Sequence, residues 1–360
     1  MKVVMFSLDE SILIKGSESN TRLAEYESIV DRLDILLPSQ KDTNVVLNSK
    51  VSAVGVGGMF KASKLIRMYF CARKILARGD VDLITSQDAY YVGICTLFLS
   101  RSFNIPFEIQ VHGFEKLRGL RRLVVTYLLP KANCVRTVSE RSKNVLAKKF
   151  TVNLEKMYAL PVVDKIDSIA SFKDLDQKKD FVFLTVGRLV SVKSVDLQLK
   201  AFSVVVKKKP HSTLWIVGDG PERKRLEELA EDLLITKKVV FWGWQSDVKH
   251  FYSKADAFLL TSSSEGWGRV VVEASAYSLP TIMTDVGLAG EFIVNNSNGI
   301  VIKKGSVTEL RNAMENLVTN PEEGERLGIV AKKSFDALPT RKEILIQQQT
   351  FWECFIRKSQ

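Results

Sequence analysis

"FVFLTVGRLVSVKSVDLQLKAF", Phe181 to Phe202, decides the fold. "FVFLTVGR" (181–188) is a short apolar run of the kind that forms a buried strand, and helical spacing follows from about 194 to 208. The same alternation continues downstream. "STLWIVG" (212–218), "KVVFWGW" (238–244), "AFLLTSS" (257–263), "PTIMTDV" (280–286) and "GIVIKK" (299–304) read as strands. Helices at about 222–234, 246–255 and 268–278 fall between them. Six strands alternating with helices predict a doubly wound α/β domain with a parallel sheet.

The first half alternates in the same way. Strands are predicted at Lys2–Leu8, Leu33–Leu37, Val81–Gln87, Phe107–His112 and Cys134–Val138. Helices are predicted at Lys61–Arg78, Ala89–Ser100, Leu117–Leu129 and Ser139–Lys149. "GVGG" at 55–58 is not GxGxxG and follows no clear strand–helix pattern. From Pro161 to Asp180 the pattern weakens and charge rises, as at a domain boundary. The expected organisation is a Rossmann-like domain over 1–163, a second over 164–338, and a closing helix over 339–360. A chain of 360 residues suits two cores better than one.

Four well-separated cysteines without a CxxC pair argue against a disulfide framework or zinc ribbon and for a reducing compartment. The N-terminus reads as a strand rather than a signal peptide, and no run approaches the roughly 20 apolar residues of a spanning helix. A cytoplasmic protein is expected. The net charge is +11, and Lys116 to Lys149 holds ten Lys/Arg against one acid, Glu140, a local net of +9. Lys116, Arg118, Arg121 and Arg122 interleave with leucines there. A basic helix with an apolar face suits an anionic membrane surface, and equally a packed helix with a solvated basic face. No nucleic-acid motif is present.

Ligands of such sheets bind outside the carboxyl ends of the strands. That rule selects the loops after residues 8, 112, 187, 217, 244 and 263. "SSSEGWGRVVVEASAYSLP" (262–280) follows one of them and carries Glu265 and Glu273, eight positions apart. With a helix beginning at Gly266 to Gly268, Glu273 lies two turns inside it, and the two acids attach roughly 12 Å apart along the axis. That spacing is too long for a shared proton or metal ion and suits two contacts on an elongated ligand. Gly266, Trp267 and Gly268 would form a helix N-terminus suited to an anion, the glycines allowing close approach. Two solvated acids beside a glycine turn fit the spacing equally. Arg188 and Lys193, five residues apart, offer a planar donor and a point charge able to neutralise a diphosphate without a metal, or merely a basic surface loop. His112, in "EIQVHG", is the one histidine at a selected strand end. Asp174 and Asp176 form a DxD within the linker, and no His/Cys cluster has metal-ligand spacing.

Together these residues resemble one family, the retaining GT-B glycosyltransferases of group 1 (glycosyltransferase family 4). "VGRLVSVKSVDLQLKAF" resembles its VGRL-xxx-KG segment and "LWIVGDGPERKRLEELA" its GxGP-xxx-L segment. "VVFWGW" resembles the strand before its base-binding loop, and 262–280 its E-x7-E signature. The likeness covers about 180–335, with "VHG" and "VRTVSE" as less specific landmarks earlier. It implies two Rossmann-like domains facing a cleft, a nucleotide-diphosphate-sugar donor with a UDP or GDP base, and a glycan or lipid-linked acceptor. Cell-surface polysaccharide or glycolipid synthesis follows as the setting. It implies retention of configuration, no catalytic metal and no cofactor beyond the co-substrate. By the same resemblance Arg188 and Lys193 hold the diphosphate. Glu265 and the backbone of Gly266, Trp267 and Gly268 meet sugar and phosphate, Glu273 takes the ribose hydroxyls, and His112 lines the reacting sugar. The closing helix returns to the first domain. Three departures stand out: only Gly16 in a loop where paired glycines face the acceptor, Trp267 for Phe, and Ser194 for Gly. A nucleotide-sugar epimerase and a non-catalytic membrane-associated relative are the rival readings.

Overall fold

The computed structural model describes residues 1–113, 119–163 and 180–359. The chain forms two compact units, Met1–Pro161 with Thr340–Gln360, and Val162–Pro339. Strands of unit 1 are β1 (Lys2–Phe6), β2 (Arg32–Pro38), β3 (Thr43–Val46), β4 (Val51–Val56), β5 (Leu83–Ser86), β6 (Phe107–Val111), β7 (Cys134–Thr137) and β8 (Met157–Ala159). Its helices are α1 (Glu18–Ala24), α2 (Lys61–Leu76), α3 (Tyr91–Phe103), α4 (Gly119–Leu128) and α5 (Glu140–Phe150). Unit 2 has β9 (Phe181–Val186), β10 (Ser212–Val217), β11 (Val239–Gly243), β12 (Ala257–Leu260), β13 (Thr281–Thr284) and β14 (Ile300–Ile302). Its helices are α6 (Val195–Lys208), α7 (Arg223–Asp232), α8 (Lys249–Lys254), α9 (Arg269–Ala276), α10 (Val307–Thr319) and α11 (Pro321–Asp336). The last helix, α12 (Arg341–Ser359), belongs to unit 1.

The unit 2 sheet is parallel throughout, in the order β11-β10-β9-β12-β13-β14. Its central strands are apolar on both faces because helices cover both, as a parallel sheet requires. The order reverses at β9, which lies between β10 and β12. The loops after β9 and β12 are thereby neighbours, and this is the crevice where such sheets bind ligands. The helices α10 and α11 lie beyond the segments the periodicity predicts. Ser306 caps α10 by accepting from Glu309 N at 3.2 Å, and Pro321 opens α11. Gly328, in the middle of α11, faces Ser278, and a Cβ there would lie 2.0 Å from the Ser278 carbonyl oxygen.

The unit 1 sheet runs β3-β4-β2-β1-β5-β6-β7-β8, with only β3 antiparallel. Three of its strands escape the sequence pattern. β3 is largely exposed, β4 contains Ser52 and Gly55, and β8 has three residues. Of the glycines at 55–58, Gly55 lies within β4, and Gly57 and Gly58 stand between that strand and the helix α2. Gly57 N donates to Asp42 Oδ1 at 2.8 Å there, so the turn is closed by its own protein carboxylate.

One buried polar network fastens α12 onto this sheet. Glu108 on β6 is fully buried, and its carboxylate accepts from Thr85, Tyr158, Gln110 Nε2 (2.9 Å) and Trp352 Nε1 (3.0 Å). Arg136 on β7 donates to Gln348 Oε1 at 3.2 Å, and Tyr26 Oη donates to the same oxygen at 3.0 Å. A buried carboxylate is tolerable only when its lone pairs are satisfied, as they are here. Burial and the neighbouring Glu108 carboxylate push the Tyr158 phenol well above its ordinary pKa. Phe351 stacks on Tyr158 with centroids 4.3 Å apart, and Trp352 is fully buried. Replacing Trp352 by Ala removes both a ring and a Glu108 donor. The expected cost is about 3–5 kcal/mol of unit 1 stability, read from urea unfolding followed by circular dichroism.

Candidate functional site

The carboxyl edge of the unit 2 sheet is built on glycine. Gly187, Gly218 and Gly243 end or follow β9, β10 and β11 with φ of 153°, 129° and 68°. A Cβ on Gly218 would lie 2.0 Å from Gly187 O, so only glycine permits the two backbones to meet. Leu189 N then donates to Asp219 O (2.9 Å) and Glu222 N to Leu189 O (3.0 Å). These bonds fix the loop that carries Arg188. The Arg188 side chain is exposed and makes no hydrogen bond or ion pair among the described residues.

A second set of bonds ties this loop to the one after β12. Gln198 Nε2, buried on α6, donates to Thr261 Oγ1 at 3.0 Å. Thr261 Oγ1 shares its proton between Lys193 O (3.1 Å) and Ser194 O (3.0 Å), and Ser263 N donates to Val192 O at 2.8 Å. Ser194 adopts the left-handed conformation (φ 48°), the backbone state that glycine takes most easily. Held this way, Lys193 Nζ donates to Glu265 Oε1 at 2.6 Å, and Ser262 Oγ donates to the same oxygen at 2.6 Å. Both side chains are about a quarter exposed or less. Glu265 Oε2 has no partner among the described residues. A small recess lined by Gly187, Arg188, Lys193, Thr261 and Ser262 opens beside the pair.

Gly266, Trp267 and Gly268 are buried and lead into α9, with Gly268 at φ 108° as the residue before the helix. Gly287 supports them from below. Leu288 N donates to Trp267 O at 3.1 Å, and a Cβ on Gly287 would lie 2.5 Å from that oxygen. The helix starts at Arg269, later than its sequence suggests, because Trp267 is drawn into the core beside Phe292. Glu273 therefore lies one turn inside α9, not two. An axial spacing of roughly 12 Å does not describe the pair, since residues 265–268 are not helical. Glu273 accepts from Tyr252 Oη at 2.8 Å and faces Arg269 Nη2 at 3.9 Å. Burial and this carboxylate push the Tyr252 phenol well above its ordinary pKa.

The structure thus brings Arg188, Lys193, Glu265 and the 266–268 turn to one edge of the unit 2 sheet, with Glu273 on the helix that follows. Sequence reasoning missed the parts that aim them. Thr261, Gln198, Ser262, Gly287 and Tyr252 are ordinary residues until the loops are folded together.

In unit 1, His112 follows β6 at the rim of a recess of about 260 Å³. Gln87, Asp88, Tyr90, Gln110 and Arg121 share its walls. The residue is exposed by surface area. Protein packed around it still disfavours the charged ring, and Arg136 and Arg22 oppose its protonation, so its pKa is lowered to about 4. The imidazole is neutral at physiological pH. Arg121 turns into this recess, with its guanidinium 4.9 Å from the Tyr90 ring centroid and 3.9 Å from Asp88. Arg122 is exposed on the other side of α4. Gly16 occupies a turn at φ 80° with open space around it, between two short helical segments stitched by Asp9 and Ser17. Lys116, Arg118, Asp174 and Asp176 lie outside the described residues. Among the described residues no group of three His, Cys, Asp or Glu is placed to hold a metal ion.

Residues 167–334 match the family described as "Glycosyl transferases group 1", which accounts for nearly all of unit 2. The chain is 30% identical over 220 residues to an uncharacterized glycosyltransferase of Haemophilus influenzae, covering 61% of each chain. It is 25% identical over 344 residues to the capsular polysaccharide biosynthesis glycosyltransferase CapM of Staphylococcus aureus, covering 94% of this chain and 84% of that one. Three of the curated relatives are matched over 61%, 40% and 44% of their own lengths, so the chain spans less than two thirds of them. Among solved structures, Anabaena Alr3699/HepE in complex with UDP superposes with a TM-score of 0.79 at 18% identity, over 98% of this chain and 100% of that one. That likeness concerns the fold, which is GT-B: two Rossmann-like α/β units in one chain.

The support beneath Trp267 can be tested directly. Gly287→Ala should destabilise the protein by about 1–3 kcal/mol of strain, read as a lower melting temperature. Gly290→Ala, at φ 79° with nothing within 4 Å of its added Cβ, should lower it less. Equal losses would mean that the contact with Trp267 O contributes nothing.

Proposed function

Because residues 167–334 match the group 1 glycosyl transferases, we propose that the protein is a retaining glycosyltransferase. It moves a sugar from a nucleotide-diphosphate donor to a glycan or lipid-linked acceptor, in cell-surface polysaccharide or glycolipid synthesis. The observation that carries this reading is the arrangement at Glu265. One carboxylate oxygen is held by both Lys193 and Ser262 at 2.6 Å, and the other has no partner among the described residues. Such a carboxylate is fixed in direction and still able to accept from a sugar hydroxyl.

The rest of the edge supplies positive charge. Arg188 is exposed and unpaired among the described residues, and Lys193 retains two further N–H donors beyond the one given to Glu265. Together they suit the two phosphates of a departing nucleoside diphosphate, where fixed cations stabilise developing negative charge. The N-terminus of α9 adds a partial positive charge at the same edge. Charge neutralisation by these groups is why the reaction is proposed to need neither a metal nor a cofactor. Glu273, steadied by Tyr252, is assigned the ribose hydroxyls. His112, neutral near pH 7, accepts or donates one hydrogen bond to the reacting sugar without adding a charge. CapM is named for capsular polysaccharide synthesis and HepE was solved with UDP. Both fit a sugar-nucleotide donor and a surface-glycan product.

Glu265→Gln and Lys193→Ala should each lower kcat about a hundredfold or more, with an unchanged circular dichroism spectrum. Glu273→Gln should act mainly on donor KM. Chelation with EDTA should leave the rate intact, and NMR of the product should show the donor's anomeric configuration. Full activity in both folded Glu265 and Lys193 variants would remove these residues from the site, and an inverted anomer would remove the retaining assignment.

A further inference from the structure

Helices α2, α3 and α4 lie side by side on one face of the unit 1 sheet, their inner sides sharing one apolar core. Their outer sides are unusual in two independent ways. Ile66 and Phe70 on α2, Phe98 on α3, and Leu120, Leu123 and Tyr127 on α4 are each more than half exposed. Within α2 the pair is spaced i, i+4, and within α4 the three are spaced i, i+3, i+7, so each set forms a stripe along its helix. The second feature is charge. The three helices contain eight Lys/Arg and no Asp or Glu. Lys61, Lys64, Arg73, Lys74, Arg101 and Arg122 have no carboxylate partner among the described residues. Among the described residues Arg67 pairs with Asp42 at 2.7 Å, and Arg121, on the inner side, lies 3.9 Å from Asp88. Lys131 sits over the Tyr127 ring at 4.0 Å, at the edge of the apolar stripe.

A solvated protein face ordinarily mixes both charge signs and scatters its apolar residues. An apolar stripe bordered by cations alone matches an interface of opposite composition, with apolar depth beneath an anionic surface. We propose that the outer face of α2, α3 and α4 seats unit 1 on an anionic lipid bilayer. This rests on the glycosyltransferase reading for its purpose: α4 also walls the His112 recess through Arg121 and Val125 on its inner side. A bilayer under α4 would lie one helix diameter from that recess, within reach of the head group of a lipid-linked acceptor. It also divides the two arginines of α4 by role, Arg122 to the lipid surface and Arg121 to the recess.

Sedimentation with lipid vesicles tests the seat. The full chain should pellet with vesicles of phosphatidylcholine mixed with phosphatidylglycerol, and stay in solution with phosphatidylcholine alone or in high salt. The double variant Lys74→Glu with Arg122→Glu should bind the mixed vesicles at least tenfold less tightly, about the loss expected from removing two cations near such a surface. Phe70→Ser with Leu123→Ser keeps the charge and should also lose at least tenfold, because apolar insertion is gone. Both variants should melt as the parent does and bind nucleotide sugars equally well by calorimetry, since none of these side chains belongs to the donor site. Failure of the parent to pellet, or parental binding by either variant, would overturn the proposal. So would light scattering that shows a dimer abolished by Phe70→Ser with Leu123→Ser, which would assign the face to a second copy. Intact donor binding beside failed pelleting would sink the membrane seat alone. Pelleting beside absent donor binding would sink the donor assignment alone.

Discussion

The ion pair between Lys193 and Glu265 joins residues 72 positions apart, and the candidate site depends on it. It exists because β9 lies between β10 and β12 in a parallel sheet. The order reverses there, so the loops leaving β9 and β12 have no helix between them and can touch. Everything nearby serves that contact. The Thr261 hydroxyl holds the backbone of Lys193 and Ser194, Gln198 orients Thr261 from α6, and Ser262 shares Glu265 with the lysine. Without these bonds a lysine and a glutamate on two loops would form an ordinary surface pair of little energetic consequence. With them the pair is positioned before any ligand arrives, as the proposed stabilisation of a departing anion would require.

Unit 1 solves a different problem, that of fastening its last helix. The chain leaves unit 1 at Pro161 and rejoins it at Thr340. Apolar packing alone would let α12 slide along the sheet. The Glu108 carboxylate prevents this, because Trp352 Nε1 and Tyr158 Oη must both reach it from fixed positions. Arg136, Gln348 and Tyr26 repeat the device one step away. A buried network of this kind adds specificity of register at little net gain in stability, since desolvation of the charges offsets most of the bonding energy. Arg136 has a further effect, for its charge helps keep His112 neutral.

The two sides of α4 connect these themes to the surface. Its inner side contributes Arg121, held against Tyr90 and Asp88, to the recess beside His112. Its outer side contributes Leu120, Leu123 and Tyr127 to an exposed apolar stripe. One ten-residue helix thus carries a polar lining and an apolar exterior, separated only by the 100° turn between successive side chains.

Much of this was legible in the residues themselves. Alternating apolar runs and helical periods announce two parallel α/β units, because strands buried on both faces must be apolar and helices covering them must be amphipathic. Arg188, Lys193, His112, Glu265 and Glu273 stand out as charged or titratable groups at strand ends or in the helix that follows. The weak strands β3, β4 and β8 were not legible, since an exposed edge and glycine-containing or three-residue strands lack the pattern. Nor was the helix start at Arg269, which the burial of Trp267 sets. The supporting groups Thr261, Gln198, Gly287 and Tyr252 could not be read either, nor could the different surroundings of Arg121 and Arg122. Sequence determines which residues favour strand or helix and where charge is available, because those are local preferences of each side chain. Which carboxylate meets which lysine, and which arginine faces the recess, is decided only when distant loops and helix faces are brought together by the order of strands in the sheet.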